Sequence, residues 1–406
     1  MGQKLLFLLF FFILIGCTGS KPVHFKSPID TNSKPIIYQT KTTYQLNDVG
    51  VYASNEFDGA RLSGFEKLND STALVLIYPE NSPINNSPYY AFKTWSATAK
   101  PFYFTFNYPR GYNHRYVPKI NNGGKWTILD STNILTKDSI VTIRLNLTSK
   151  PTTVAAQEIQ SSTDVKNWYS KLVQGKEDKV VVKSIGESKL GRNLPVLEIG
   201  KGSARGKDVI VLLTRQHPPE VTGYYAFQSF LEAILDNSEL SNEFLNAYHI
   251  IAFPIMNPDG VDLGHWRHNA GGVDTNRDWS YYRQPEIKRS ISYIEKTLKK
   301  NTSKLVLGLD FHSTWYDIFY TNRDRANTAL PTFISQWFKS LEDNIPNYKV
   351  NETASNSERP VSKGWFLYGH NAVGITYEIG DRTPKDKIDL FGSVSAKQMM
   401  RIMLTK

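Results

Sequence analysis

The segment that most constrains the fold is residues 209–220, VIVLLTRQHPPE, in which an apolar run leads directly into a polar turn. The run 209–213 predicts a strand that is buried on both faces, and the pattern of residues 221–235 behind the turn predicts a helix. Strand ends that open into loops are where α/β enzymes place their chemistry. His217 and Glu220 lie on this turn, so an imidazole and a carboxylate can face one point, as a zinc site requires. A polar loop residue followed by a helix-capping acid is the alternative interpretation.

The order of patterns along the chain predicts two domains. Strand and helix patterns alternate over residues 160–406, which predicts an α/β domain with a mixed sheet. Predicted strands cover 179–184, 194–199, 209–213, 249–253, 304–311 and 374–378, and predicted helices cover 161–174, 222–235, 285–299, 330–341 and 392–403. Short strand patterns without a long helical window fill residues 41–155, which predicts an all-β sandwich domain. Its role is either to support the next domain or to bind carbohydrate or peptide.

The N-terminus has the features of a targeting segment. An apolar run at 5–15 is too short for a usual membrane-spanning helix. It ends at Gly16 and Cys17, which resemble the lipobox of bacterial lipoproteins. This resemblance implies a signal peptide at residues 1–16, a lipid on Cys17 that anchors the protein to a membrane, and a location in the bacterial cell envelope. An ordinary secretory signal and an uncleaved anchor are the alternatives. Residues 17–40 are rich in Ser, Pro, Lys and Thr and predict a tether.

The cysteine content and the net charge of the chain exclude several kinds of site and partner. Cys17 is the only cysteine, so no intrachain disulfide forms and no thiol nucleophile remains in the folded part. The formal net charge is +10, but no block of basic residues with interleaved aromatic residues accompanies it. The sequence therefore predicts no nucleic-acid partner.

Two further residues extend the possible metal site. His312 follows the predicted strand 304–311. Such a histidine is more often a hydrogen-bonded core or rim residue, but beside His217 and Glu220 it supplies a third ligand and leaves a fourth zinc position open for water. Glu378 ends another predicted apolar strand, where a carboxylate is costly unless it is paired or lies near a cation. It is therefore either a salt-bridged structural residue or a general base that takes a proton from water.

A third polar patch covers residues 257–279. Arg277 can hold a carboxylate through two parallel hydrogen bonds, and Asn276 can add a further donor. Arg267 can stabilise the oxyanion that forms when water attacks an amide carbonyl. Asp274 is a candidate acceptor for the second nitrogen of a zinc-bound histidine. Taken singly, each of these is equally well a turn or surface residue.

Six patches, taken together and in this order, resemble the zinc carboxypeptidase family. They are His217-x-x-Glu220, Asn257-Pro258-Asp259-Gly260, Arg267, Asn276-Arg277, His312-Ser313 and Glu378. The resemblance covers about residues 164–403 and implies an α/β/α sandwich with a mixed sheet, one zinc ion, and release of the C-terminal amino acid from a peptide with a free carboxylate. The domain order resembles that of the cytosolic-type carboxypeptidases, several of which remove glutamate.

The resemblance also implies a role for each matching residue. His217, Glu220 and His312 would bind zinc, and Glu378 would be the general base. Arg267 would polarise the carbonyl, while Asn276 and Arg277 would hold the terminal carboxylate of the substrate.

Two positions that bind the substrate in the family need separate comparison with this chain. The family often carries a tyrosine on a loop that closes over the substrate, whereas the equivalent position here is near Asn356. On the same alignment, Lys363 stands where the family has a specificity residue. A cation there would suit a C-terminal Glu or Asp, and a solvated loop lysine is the alternative.

The sequence therefore predicts a zinc metallocarboxypeptidase with a preference for acidic C-terminal residues. Two alternatives stay open. The first is a zinc amidase that acts on cell-wall peptides or N-acyl amino acids, and the second is a non-catalytic binding protein with the same fold.

Overall fold

The computed structural model describes residues 20–405, which form an all-β unit followed by an α/β unit. The strands of the first unit are β1 (Thr43–Leu46), β2 (Val51–Ser54), β3 (Gly64–Asn69), β4 (Thr72–Leu76), β5 (Ala91–Ser96), β6 (Lys100–Asn107), β7 (Lys119–Asn121), β8 (Trp126–Ile128), β9 (Ile134–Lys137), β10 (Ile140–Leu147) and β11 (Thr152–Ala155). They form one sheet in the order β1-β2-β5-β11-β7-β8 and a second in the order β3-β4-β6-β10-β9. The predicted β-rich unit is therefore confirmed.

The two sheets of this unit pack face to face. In β6, Phe102, Phe104 and Phe106 are buried and alternate with more exposed residues, as the two-residue period of a strand requires. The ring of Phe104 lies 6.0 Å, between centroids, from the ring of Phe92 in the other sheet. Trp266 of the following unit belongs to the same hydrophobic cluster, so the two units share a core.

The second unit is built on an eight-stranded mixed sheet. Its strands are β12 (Val180–Glu187), β13 (Asn193–Ile199), β14 (Asp208–Thr214), β15 (Tyr248–Phe253), β16 (Leu305–Thr314), β17 (Ile318–Thr321), β18 (Glu352–Ala354) and β19 (Val373–Gly380), in the spatial order β12-β13-β15-β14-β16-β19-β17-β18. Its helices are α1 (Ser162–Leu172), α2 (Val221–Ile234), α3 (Glu239–Ala247), α4 (Pro258–Asp262), α5 (Pro285–Asn301), α6 (Phe333–Asn344), α7 (Ser362–His370) and α8 (Lys385–Leu404). Strands β15, β14, β16 and β19 run parallel at the centre.

Helices cover both faces of the central sheet. In β14, Ile210 and Leu212 pack with the cluster that contains α2 and α8, whereas Val211 and Leu213 pack with the cluster that contains α5 and α7. Successive side chains of a strand point to opposite faces, so a strand between two helical layers must be apolar throughout. The predicted α/β/α arrangement is confirmed.

The strand that carries His312 is longer than predicted. Hydrogen bonding between β16 and β19 continues past Phe311, and His312 is paired directly with Glu378. The prediction that this strand ends before His312 is therefore wrong, because pairing with β19 extends the strand through polar residues that the apolar pattern did not include. The sequence patterns also missed α3, α4, α7, β17 and β18.

The segment before β1 is packed against the α/β unit, although residues 20–42 contain no helix or strand. Phe25 is buried, with its ring 5.4 Å from the ring of Tyr368. The hydroxyl of Thr31 donates a hydrogen bond to Asp278. The predicted tether is thus incorrect for its described part, because buried contacts hold it in place. The predicted signal peptide and Cys17 lie outside the described residues. Among residues 20–405, no helix is long and apolar enough to cross a membrane.

Candidate active site

Three buried side chains converge at the carboxyl ends of the central strands. His217, Glu220 and His312 each offer one ligand atom, and these atoms lie within 4.8 Å of one another. Nδ1 of His217 lies 2.8 Å from Oε1 of Glu220, and Nδ1 of His312 lies 2.6 Å from Oε2. Two imidazole nitrogens and a carboxylate are the donor set of a catalytic zinc site with one open position. The three predicted ligands are therefore brought together.

Close packing of α2 on β16 fixes the positions of these ligands. Glu220 directly precedes α2, so its carboxylate lies at the positive end of the helix dipole. A Cβ atom at Gly223 would lie 2.2 Å from the carbonyl oxygen of His312, so this approach requires glycine. The hydroxyl oxygen of Ser313 accepts hydrogen bonds of 2.8 Å from the Gly223 N–H and the Thr222 hydroxyl. These contacts explain the serine that follows His312.

Two aspartates orient the imidazole rings. Oδ1 of Asp274 lies 2.9 Å from Nε2 of His217, and Oδ2 of Asp310 lies 2.9 Å from Nε2 of His312. An acceptor at Nε2 keeps the proton on that nitrogen and leaves Nδ1 free for a metal ion, so both rings fit zinc. Burial opposes ionisation of Asp274, but Arg267 and His217 hold its pKa well below the usual range. Asp274 occupies its predicted place.

Asp310 was missed by sequence reasoning. It lies two positions before His312 in β16, and residues at i and i+2 of a strand share one face. This spacing was the signal that could have identified it.

The predicted substrate-binding residues line one cavity of about 520 Å³ next to the ligand set. Nε of Arg267 donates a 2.7 Å hydrogen bond to Oδ2 of Asp274. Nη1 of Arg277 donates to the backbone oxygen of Asn276 at 2.7 Å. Oδ1 of Asn276 accepts a hydrogen bond of 2.9 Å from the backbone N–H of Ser362. The guanidinium groups are thus held in fixed positions at the cavity wall.

Glu378 lies beside the ligand set because it pairs with His312 across the two central strands. Its Oε2 is buried and has no hydrogen-bond partner among residues 20–405. Burial raises the pKa of Glu378 to about 8, against the opposing effects of His312 and Arg267. A cation held by the three ligands would lower this pKa, since it favours the carboxylate. A carboxylate with a free oxygen at this place can accept a proton from water.

A tyrosine reaches the cavity from a strand instead of a loop. Tyr320 in β17 pairs with Thr376 in β19, and both residues line the cavity with Glu378. Asn356 does not belong to the lining; its Oδ1 accepts hydrogen bonds of 2.9 and 3.0 Å from the backbone at 323–324. Tyr320 was missed because β17 is too short to show a clear alternating pattern.

Lys363 lies in α7 and is 5% exposed, so the solvated-loop interpretation is wrong. Its Nζ donates hydrogen bonds of 2.9 and 2.7 Å to the backbone oxygens of Thr321 and Ser355. Burial lowers the pKa of Lys363 to about 8. Lys363 also lines the cavity, so a cation is available there at neutral pH.

The all-β unit fixes the backbone around Arg267. Glu80 is fully buried and accepts hydrogen bonds from the backbone N–H groups of Trp266, Arg267 and His268, at 2.8, 3.0 and 2.6 Å. Burial opposes ionisation of Glu80, but His265 and other neighbours lower its pKa. Sequence reasoning missed Glu80, because no local pattern links it to the segment it holds.

Comparison with known proteins agrees with this geometry. The sequence profile of the family described as zinc carboxypeptidase matches residues 165–388, more than half of the chain. Cytosolic carboxypeptidase 3 of Bos taurus is 26% identical over 136 residues, which cover 33% of this chain and 14% of that protein. Cytosolic carboxypeptidase 2 of Homo sapiens is 31% identical over 112 residues, which cover 27% of this chain and 12% of that protein. The chain therefore spans only a small part of these relatives.

A solved structure shares the fold over a much larger part of the chain. The crystal structure of a metallo-carboxypeptidase from Burkholderia cenocepacia superimposes with a TM-score of 0.74 at 14% identity. The superposition covers 87% of this chain and 99% of that chain, so both units have counterparts in one known fold.

Proposed function

Because this chain belongs to the zinc carboxypeptidase family, we propose that it hydrolyses the C-terminal peptide bond of peptides with a free terminal carboxylate. The observation that carries this proposal is that one cavity is lined by the zinc-binding set, by Glu378 and by Arg277. His217, Glu220 and His312 would hold the metal ion. Zinc in that position would polarise the substrate carbonyl and make a bound water more acidic.

The residues around the zinc ligands carry out the remaining tasks of hydrolysis. Glu378 accepts the proton of the attacking water and passes it to the leaving amine. Arg267 donates hydrogen bonds to the carbonyl oxygen as negative charge develops on it. Arg277 and Asn276 hold the terminal carboxylate, so the bond that lies over Glu378 is the last one of the chain.

Hydrolysis of a short peptide panel tests the proposal. The panel ends in Glu, Lys, Phe or Ala and includes the same peptides with amidated C-termini. We expect release of one terminal residue, abolished by a zinc chelator and restored by added zinc. Amidation is expected to block release, because it removes the charge that Arg277 binds. Zinc binding without cleavage of any free C-terminus, together with hydrolysis of N-acyl amino acids or cell-wall peptides, would instead support the amidase alternative.

We further propose a preference for acidic C-terminal residues. Lys363 is the residue that supports it, because it lines the same cavity as Asn276 and Arg277. Asn276 accepts a hydrogen bond from Ser362, the neighbour of Lys363, at 2.9 Å. A substrate whose terminal carboxylate lies on Arg277 and Asn276 can therefore direct its last side chain towards the Lys363 ammonium.

The acidic preference is expected to depend on pH. The ratio of kcat/KM for peptides ending in Glu and in Gln isolates the side-chain charge, because other titrating groups affect both peptides alike. Since the pKa of Lys363 is lowered to about 8, its charge is present below that pH and is lost above it. We expect the ratio to be about 10 to 100 at pH 7 and to fall towards one as pH rises past 8.

Two variants provide the controls for this pH profile. Lys363→Met is expected to give a low ratio at every pH. Lys349→Met changes a lysine whose side chain is 86% exposed and is expected to reproduce the wild-type profile. If the wild-type ratio stays constant between pH 6 and pH 10, Lys363 does not take part in substrate recognition.

We also propose that the chain is anchored to the bacterial cell envelope by a lipid on Cys17. The apolar run 5–15 and the Gly16-Cys17 pair support this proposal. It is independent of the catalytic one. Membrane fractionation of cells that express the chain or its Cys17→Ser variant tests it, and membrane association that persists in the variant would argue against a lipid anchor.

A further inference from the structure

The all-β unit contributes an arginine to the wall of the catalytic cavity. Arg115 lies between β6 and β7, and its side chain is only 8% exposed. Its Nε donates a 2.9 Å hydrogen bond to Oδ2 of Asp381 in the α/β unit, and its Nη1 donates one of 2.9 Å to the hydroxyl of Ser87 in its own unit. The guanidinium carbon lies 5.1 Å from the centroid of the Trp315 ring. Both units thus hold this guanidinium in one orientation.

One nitrogen of this guanidinium makes no hydrogen bond in the described part of the chain. Nη2 of Arg115 is buried and has no hydrogen-bond partner within residues 20–405, although Arg115 lines the cavity. A buried donor without an acceptor is costly. The zinc-site chemistry described above makes no use of it.

The course of β19 shows which part of a substrate would reach Arg115. The backbone of Lys363 packs on Gly374 near the start of this strand, since a Cβ on Gly374 would lie 2.3 Å from the Lys363 oxygen. Glu378 follows four positions later, about 13 Å along the strand, and Asp381 lies about 10 Å further on. Asp381 holds Arg115. The two cations therefore lie on opposite sides of Glu378.

A bound peptide must run along the line that leads from Lys363 past Glu378 to Arg115. Its terminal carboxylate and last side chain lie on the side of Asn276 and Lys363, and its scissile bond lies beside Glu378. The residues before the scissile bond therefore extend towards Asp381 and Arg115.

We propose that Arg115 forms a binding subsite for the part of the substrate that precedes the scissile bond, with Nη2 donating a hydrogen bond to a backbone carbonyl oxygen. This inference rests on the proposed carboxypeptidase function. It assigns a substrate-binding role to the all-β unit, which would then make the enzyme favour peptides over acylated single amino acids. A carbonyl is the acceptor because the charge of the guanidinium is already paired with Asp381.

A ladder of substrates tests the subsite. N-acetyl-Glu, N-acetyl-Ala-Glu and N-acetyl-Ala-Ala-Glu share the terminal residue and differ only before the scissile bond. In the zinc-loaded wild type, kcat/KM is expected to rise along the ladder. Arg115→Lys retains a cation for Asp381 but lacks Nη2. We expect it to lose about 10- to 100-fold in kcat/KM on the longer substrates and to match the wild type on N-acetyl-Glu.

A second arginine of the same unit is the matched control. Arg110 is exposed and does not line the cavity, so Arg110→Lys is expected to keep the full ladder. Equal zinc content and equal thermal stability of the variants exclude a folding defect. An unchanged ladder in Arg115→Lys overturns the proposal. N-acetyl-Glu-Glu is measured beside the ladder, and a loss confined to this substrate also overturns the proposal, since Arg115 would then recognise a side-chain carboxylate.

Affinity separates failure of the subsite from failure of the proposed function. If the wild type hydrolyses none of these substrates, the carboxypeptidase function is wrong. The same peptides are then titrated calorimetrically against Glu378→Gln with and without Arg115→Lys. Weaker binding of only the longer peptides in the double variant still supports the subsite, and equal binding rejects it.

Discussion

Replacing Glu378 with Gln is expected to lower kcat by about 10²- to 10⁴-fold, which is the range for loss of a general base. Gln has nearly the same shape but cannot accept the proton of the attacking water. Because Oε2 of Glu378 has no hydrogen-bond partner among residues 20–405, the substitution breaks no contact of that oxygen. We therefore expect the zinc content and the thermal stability to stay the same. Steady-state kinetics on a peptide ending in Glu, with the metal content determined in parallel, measures the effect.

The matched control for this variant is Glu358→Gln. Glu358 lies in the same unit but is exposed and outside the cavity lining, so its variant is expected to retain the wild-type kcat. If Glu378→Gln binds zinc and keeps kcat within about threefold of the wild type, Glu378 is not the base. A loss of zinc from the variant would instead assign Glu378 a role in holding the metal site together.

Replacing Glu80 with Gln is expected to affect both stability and catalysis. The carboxylate of Glu80 accepts three backbone hydrogen bonds, whereas an amide offers one oxygen and places its NH₂ group against the remaining N–H donors. Loss of one partner in such a buried charged network costs about 3–5 kcal/mol of the free energy of unfolding. Since Arg267 is one of the three residues held, we also expect kcat to fall about 10-fold or more in the folded, zinc-loaded variant.

The stability effect of Glu80 has a defined dependence on pH. Its pKa in the folded protein is lowered from the ordinary value of 4.5. A carboxyl group of this kind stabilises the protein above its unfolded pKa, and the stabilisation is lost as pH falls through the folded pKa. Urea unfolding should therefore show the full difference between wild type and Glu80→Gln at pH 7, and a smaller one below pH 4.5.

An exposed glutamate of the same unit serves as the control for Glu80. Glu66 lies in β3, and Glu66→Gln is expected to change neither the urea midpoint nor kcat. If Glu80→Gln unfolds at the same urea concentration as the wild type, the three hydrogen bonds contribute little. A variant that is destabilised but keeps the wild-type kcat would show that Glu80 supports the fold without positioning Arg267.

Local sequence patterns were enough to predict those features of the protein that depend on neighbouring residues in the chain. The strand β14 was recognisable as a continuous apolar run, because a central strand between two helical layers must be apolar on both faces. Helix α2 is apolar around most of its circumference, because all of its residues except Gln228 and Glu232 are buried. The zinc-binding residues were also recognisable, because His217 and Glu220 lie on one turn and His312 follows an apolar run in the sequence.

The remaining features of the site depend on tertiary structure. They arise from contacts between residues that are far apart in the sequence and follow no periodic pattern. Glu80 reaches backbone groups that lie 186 to 188 positions further along the chain. Arg115 meets Asp381 at a separation of 266 positions. The pairing of β16 with β19 places His312 in a strand and Glu378 opposite it. The sequence by itself thus determined the fold class and the zinc-binding residues, and only packing of the two units determined which distant residues orient the site and enclose its cavity.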